Sequence, residues 1–244
     1  MTEPRPATLS AAVMAHPRRA DLVEDLLRRL DRPVPVVWDK INDRHETGLR
    51  ALQAYDPEAT HHLVIQDDAL PCRDLLASIE RALAFVPDGH PASFYLGRVR
   101  PFRQRIERMV RVAGAASWLR FPGPYWGPAI VVPTAAIPGL VEWWHSPKGS
   151  GVTNYDRRIA RFFQRDGIDC FYSWPSLVDH RGDTSLVTGH TTGRHAHRSI
   201  PESRSGLDSS WSGPVLELRE AERLDAVRQR EVLARRQARR TVRG

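Results

Sequence analysis

The fold turns on residues 61–71, HHLVIQDDALP. A short apolar run, Leu63-Val64-Ile65, ends abruptly in two adjacent acids, Asp67 and Asp68. Neighbouring carboxylates repel, and each raises the other's cost of ionising. A buried strand that stops this way either holds a cation at its end or is a solvated strand end whose acid caps the next helix.

Working outward, strand-like and helix-like segments alternate. ATLSAAVMAH (7–16) reads as a first strand, and RRADLVEDLLRRL follows with Leu22, Leu26, Leu27 and Leu30 at helical spacing, with Asp21 as a candidate cap. VPVVWD (34–39) is a second strand, and DRHETGLRALQAY a helix that Gly48 weakens. After the third strand come a helix over 74–86 and a fourth strand, ASFYLG (92–97). This alternation predicts an α/β fold with a parallel sheet covered on both faces. Ligands of such sheets bind outside the carboxyl ends of the strands, where His16, Asp39 and the Asp67–Asp68 pair all fall.

Residues 98–125, rich in Arg, Gly and Pro, break the alternation and read as a long excursion or twisted hairpin. YWGPAIVVP is a further strand, TAAIPGLVEWW a short helix, and KGSGVTNYDRRIARFFQRDG a Gly-rich loop turning into a helix capped by Thr153 or Asn154. IDCFYSWPSLVDHRGDTSL supplies another strand and an exit loop. The organisation expected is a catalytic domain over 1–186, a flexible Gly/Ser/His-rich loop over 187–214 and a basic helix over 215–244 with a thin stripe of Leu216, Leu224, Val227 and Ala234.

Composition narrows the class. The 244 residues are 41% hydrophobic and 27% charged, which suits a globular chain. No window approaches the ~20 apolar residues of a membrane helix, and the polar start lacks a signal core, so the expectation is a cytoplasmic protein with no integral membrane segment. Cys72 and Cys170 form no disulfide framework and read as small buried hydrophobes. The net charge of +7 is concentrated: from Leu216 onward nine Arg face five acids. Such a tail can touch nucleic acid or an acidic partner, or be a solvated helix. His190, His195 and His197 cluster in a loop, but no cysteine accompanies them and zinc is not expected.

Strand, helix, strand, helix and then a strand ending in Gln66-Asp67-Asp68-Ala69 resembles the GT-A class of nucleotide-sugar glycosyltransferases, nearest to the galactosyltransferase-like family of lipopolysaccharide and collagen glycosylation, in phage or actinobacterial form. The resemblance spans roughly residues 8–185. It implies a Rossmann-like mixed sheet flanked by helices, and Mn²⁺ or Mg²⁺ as cofactor. In place of the class's Asp-X-Asp motif stand Gln66, Asp67 and Asp68, with Gln replacing the first acid. Asp68 is then the expected metal ligand, Asp67 a ligand of metal or sugar, and His180, after the last core strand, completes the site. Tyr125-Trp126-Gly127 matches the glycine-containing strand that faces the donor sugar. Asp156, opening a helix after a Gly-rich loop, matches the catalytic base of inverting members.

The nucleotide-sugar donor, with UDP favoured by class, would meet His16, Arg19, Asp39, Gln66, Trp126 and Gly127. The acceptor stays open among DNA bases, protein side chains and glycans. Two alternatives stand beside this: a non-catalytic nucleic-acid-binding module using LRRL, residues 98–111 and the arginine tail, and a Mg²⁺-dependent nucleotidyltransferase. The latter usually shows a Gly-rich phosphate loop after its first strand, and MAHPRRAD has no glycine.

Overall fold

His61–Gln66 is a strand with Leu63, Val64 and Ile65 fully buried. Burying such side chains is worth about 1.5–3 kcal/mol apiece, so this strand anchors the core. The computed structural model describes residues 6–98, 103–152, 154–181 and 195–241. The first half runs β1 (Leu9–Ala15), α1 (Ala20–Arg29), β2 (Val36–Trp38), α2 (Arg44–Gln53), β3 (His61–Gln66), β4 (Ala69–Pro71), α3 (Leu75–Leu83) and β5 (Ala92–Ser93). The second half runs α4 (Arg103–Val112), β6 (Trp118–Phe121), β7 (Ala129–Pro133), α5 (Ile137–His145), α6 (Pro147–Ser150), α7 (Tyr155–Arg165), β8 (Cys170–Ser173), β9 (Val178–His180), β10 (Val215–Glu217) and α8 (Leu218–Thr241).

Eight strands form one mixed sheet in the order β10-β6-β8-β5-β7-β3-β1-β2. The β2-β1-β3 edge is parallel, as the alternation requires. Beyond β3 the sheet turns mixed, because β7 joins β3 antiparallel. Side chains of β1 and β3 alternate between two apolar layers. Val13, Leu63 and Ile65 pack on one face with Leu26, Leu75 and Ile79 of α1 and α3. Ala12, Met14 and Val64 pack on the other with Leu52, Leu140, Ile159 and Phe163 of α2, α5 and α7. The result is a mixed α/β architecture with helices on both faces of the sheet, as expected of a Rossmann-like fold.

Several local expectations are corrected. Residues 103–112 of the expected excursion form α4, which buries Ile106 and Met109 at helical spacing amid arginines; 99–102 lie outside the described residues. The fourth strand is only two residues long. Leu216 belongs to β10, and α8 faces the body through Ala221 and Asp225, leaving Leu224 and Val227 exposed. Asp225 receives both Nε and Nη2 of Arg111 from α4, a bidentate pair that fastens α8. Neither Asp67 nor Asp74 caps α3; Asp31 does, accepting from the amides of Leu76 and Ala77. Thr153, His190 and the 187–194 part of the expected loop lie outside the described residues.

Candidate active site

After Gln66 the chain leaves the main sheet, and Asp67 and Asp68 make the turn into β4. β4 pairs antiparallel with β9 in a separate two-stranded sheet, with Ala69 opposite His180. That register brings two distant parts of the sequence to one point. His180 Nε2 lies 3.4 Å from Asp68 Oδ2, and Asp67, Asp68 and His180 are all buried.

The histidine's tautomer follows from its partner. Its Nδ1 lies 2.5 Å from the Arg181 carbonyl, which can only accept, so Nδ1 carries the proton. Nε2 faces Asp68 Oδ2, and a nitrogen and a carboxylate oxygen so placed can share a cation. Asp179 steadies the arrangement. Its Oδ1 accepts from the amides of His180 and Ala196, and its Oδ2 from the Ser199 hydroxyl. Arg181 donates its amide to the Asp68 carbonyl and ion-pairs with Asp25 of α1.

A cation is already present. Arg19 Nη1 sits 2.8 Å from Asp67 Oδ1 and 2.6 Å from Asp68 Oδ2. Burial works against the guanidinium's charge, but Asp68 and Asp67 outweigh it and hold Arg19 above its usual range. Asp67 is raised, first by burial and then by the Asp68 charge, while Arg19 and the His16 amide (2.8 Å to Oδ2) pull the other way. Asp68 Oδ1 is buried, with no hydrogen-bond partner among the described residues.

A carboxylate with one buried, unpartnered oxygen and its other oxygen 3.4 Å from an imidazole nitrogen is a donor set that suits a hard or borderline divalent cation. Among the described residues no group of three His, Cys, Asp or Glu forms a closed cage. Asp68 and His180 therefore fit a cation that takes its other ligands from phosphate and water, the usual habit of Mg²⁺ at nucleotide sites.

The second half of the site is built around Tyr155. A Cβ on Gly127 would lie 2.5 Å from Gln66 Nε2 and 2.9 Å from Tyr155 Cε1, so only glycine lets these three meet. The Gln66-Asp67-Asp68, Trp126-Gly127 and Tyr155-Asp156 segments thus touch one another. Gly48, which weakens α2 in isolation, has its reason here: a Cβ would lie 2.9 Å from Tyr155 Cβ. Burial, then the charges of Asp156 and Asp68, push the Tyr155 phenol well above its usual range, so the buried ring senses both acids.

Asp156 stands in the first turn of α7, half-buried, with Oδ1 accepting from the Arg157 amide at 2.7 Å. Burial lifts its carboxyl to about 6, against that amide and the nearby Arg44. The charge of Arg44 is itself anchored, Nη2 to Asn154 Oδ1 at 3.2 Å.

The remaining sequence candidates are placed as follows. Asp39 is buried at the end of β2, and its Oδ1 accepts from the amides of Ile41 and Asp43, holding a turn. His16 contributes its backbone amide to Asp67, while its ring caps the Pro17–Arg19 turn. Trp126 is buried against Tyr172 and the Gly97 backbone, within the core. Tyr155, Asp179, Arg181 and Arg44 escaped sequence reasoning. The first stands beside the expected base and the next two flank His180, so adjacency was their only signal; nothing in the sequence marked Arg44.

No protein-family model and no curated protein matches the chain in sequence. Among solved structures, a mutant of the Drosophila β1,4-galactosyltransferase 7 in complex with manganese, UDP-galactose and xylobiose is similar. Identity is 10% and the TM-score 0.39, over 74% of this chain and 76% of that one. A likeness this loose leaves the site to be read from its own residues.

Proposed function

We propose that the chain is a metal-dependent glycosyltransferase of the GT-A type, moving a sugar from a nucleotide-diphosphate donor, with UDP as the nucleotide, to an acceptor hydroxyl. The observation that carries this is the meeting of Asp68 and His180: His180 Nε2 lies 3.4 Å from Asp68 Oδ2, while Asp68 Oδ1 is buried without a hydrogen-bond partner among the described residues. Asp68 and His180 would hold Mn²⁺ or Mg²⁺. Bound there, the metal would neutralise the negative charge that develops on a leaving diphosphate.

The chain's own residues supply the rest. Asp156 is the base: raised to about 6, it is ionised at neutral pH yet more basic than an ordinary aspartate. It takes the acceptor's proton as the hydroxyl oxygen bonds to the anomeric carbon and the bond to the diphosphate breaks. Attack from the side opposite the leaving group inverts the anomeric centre. The packed trio of Gln66, Gly127 and Tyr155 fixes the base relative to the acid pair.

Calorimetric titration of nucleotide sugars with and without Mn²⁺ tests the reading. One donor should bind only with the metal, and Asp68→Ala should lose that binding. If a well-folded protein binds no nucleotide sugar under either condition, the reading fails, and the basic character of the chain would point to a nucleic-acid-binding module instead.

A further inference from the structure

Arg19 occupies an awkward place. It is the N-cap residue of α1, at the positive end of the helix dipole, where a cation is disfavoured and an anion welcome. There its Nη1 bridges Asp67 Oδ1 and Asp68 Oδ2. The Asp68 oxygen it uses is the one facing His180 Nε2. A metal shared by Asp68 and His180 and the Arg19 guanidinium therefore compete for the same oxygen. With two carboxylates in a buried site, one guanidinium leaves a net charge of about −1, and like-charge repulsion disfavours adding a divalent ion on top of it.

We propose that Arg19 is a resident counter-cation that the acid pair exchanges for a divalent metal when a diphosphate arrives, so that metal and diphosphate load as a coupled pair. This rests on the metal-and-diphosphate reading above and adds an order of events to it. Without diphosphate, Arg19 keeps Asp67 and Asp68 paired and holds metal affinity low. A diphosphate at the start of α1 offers the guanidinium a forked oxygen partner at a position where the dipole also favours negative charge. Released from Asp68, the guanidinium stays within reach of phosphate, and the vacated oxygen and the orphaned Oδ1 turn to the metal. No bond is made or broken in this exchange; only ion pairs change partners.

The exchange predicts reciprocal coupling, since two ligands that each favour the same rearrangement raise each other's affinity equally. The test is direct Mn²⁺ binding, read from the electron paramagnetic resonance of the free ion and checked by calorimetry, with and without UDP. Wild type should bind Mn²⁺ weakly alone and about tenfold or more tightly with UDP present, beyond what UDP chelates in a protein-free control. Arg19→Gln should bind Mn²⁺ alone about tenfold more tightly than wild type, and its coupling to UDP should shrink. Arg19→Lys, which keeps the charge but loses the fork, should fall between; should Gln unfold the chain, no gain in the Lys variant overturns the proposal.

Equal Mn²⁺ affinity in wild type and Arg19→Gln, with binding abolished in Asp68→Asn, overturns the exchange and leaves the metal site standing. No Mn²⁺ binding by any variant, with UDP or without, removes the metal reading and the exchange together.

Discussion

The phenol of Tyr155 donates a 2.5 Å hydrogen bond to the carbonyl of Gly127. That bond ties the first residue of α7 to the loop entering β7, and its ring fills the space left by Gly127 and Gly48. Tyr155 is thereby the post on which the Asp156 backbone and the end of β3 are both set.

Gly127→Ala tests how tight that packing is. Its new methyl meets the flexible amide of Gln66, which can yield, and the Tyr155 ring, which is held by its own hydrogen bond. Overpacking of this kind costs about 1–3 kcal/mol. Tyr155→Phe, which removes only the hydrogen bond, should cost about 1 kcal/mol. Urea midpoints measure both, and an Ala variant as stable as wild type would show that the contact is soft.

As the proposed base, Asp156 should set the acid limb of activity. With a carboxyl near 6, kcat/KM for transfer should fall as pH drops through that value and level off above it. Asp156→Asn should abolish this limb and lower turnover by about 10²–10⁴-fold while leaving donor affinity nearly unchanged. A variant that turns over normally, or an acid limb that persists in it, would remove the base assignment.

The β1–β3 edge and its helices were legible because their apolar periods are regular; their caps were not, since only α2 has a local one, Asp43, while α1 begins at Arg19 without a side-chain cap or the expected Asp21, and α3 is capped from Asp31. The acid pair stood out because an apolar run stops on it. The joining of His180 to Asp68 depends on the β4–β9 register, which neither three-residue strand advertises. α4 was missed because six of the residues in 98–111 are arginine and only Ile106 and Met109 mark its buried face. Arg19 was expected on the donor; its position against Asp67 and Asp68 depends on how α1 enters from the end of β1, which sequence spacing does not encode.

The two proposed metal ligands, Asp68 and His180, should differ in what their loss does. Asp68→Ala removes the carboxylate that faces His180 and pairs with Arg19, so Mn²⁺-dependent donor binding should vanish. His180→Ala keeps both acids but removes a direct ligand, and should weaken Mn²⁺ by more than the about 10–100-fold that losing a partner behind a ligand costs. Asp179→Asn, which disturbs the contact to the His180 amide and to Ser199, should have a smaller effect of the same sign. Titration of Mn²⁺ in the presence of UDP ranks the three, and an Asp179 variant weaker than His180→Ala would reverse the assigned roles.

Stability against pH separates two buried groups of opposite sign. His62 of β3 lies between the Ser10 hydroxyl and the Ala51 carbonyl, and burial lowers its pKa to about 4. From its unfolded value near 6.5 down to about 4, the unfolded chain takes up a proton there that the native chain refuses, so stability is lost as pH falls. Asp156 behaves in reverse. Its native carboxyl, near 6, binds a proton before the unfolded one, near 3.8, so the cost of its burial is fully present above pH 6 and fades towards pH 4. In wild type the two partly cancel between these limits. Asp156→Asn removes one of them: the variant should be more stable at pH 7, by on the order of 1–2 kcal/mol after screening at its half-exposed position, and should lose stability more steeply down to pH 4. Urea unfolding at half-unit steps measures the difference, and parallel curves for the two proteins would mean that Asp156 titrates like an ordinary surface aspartate.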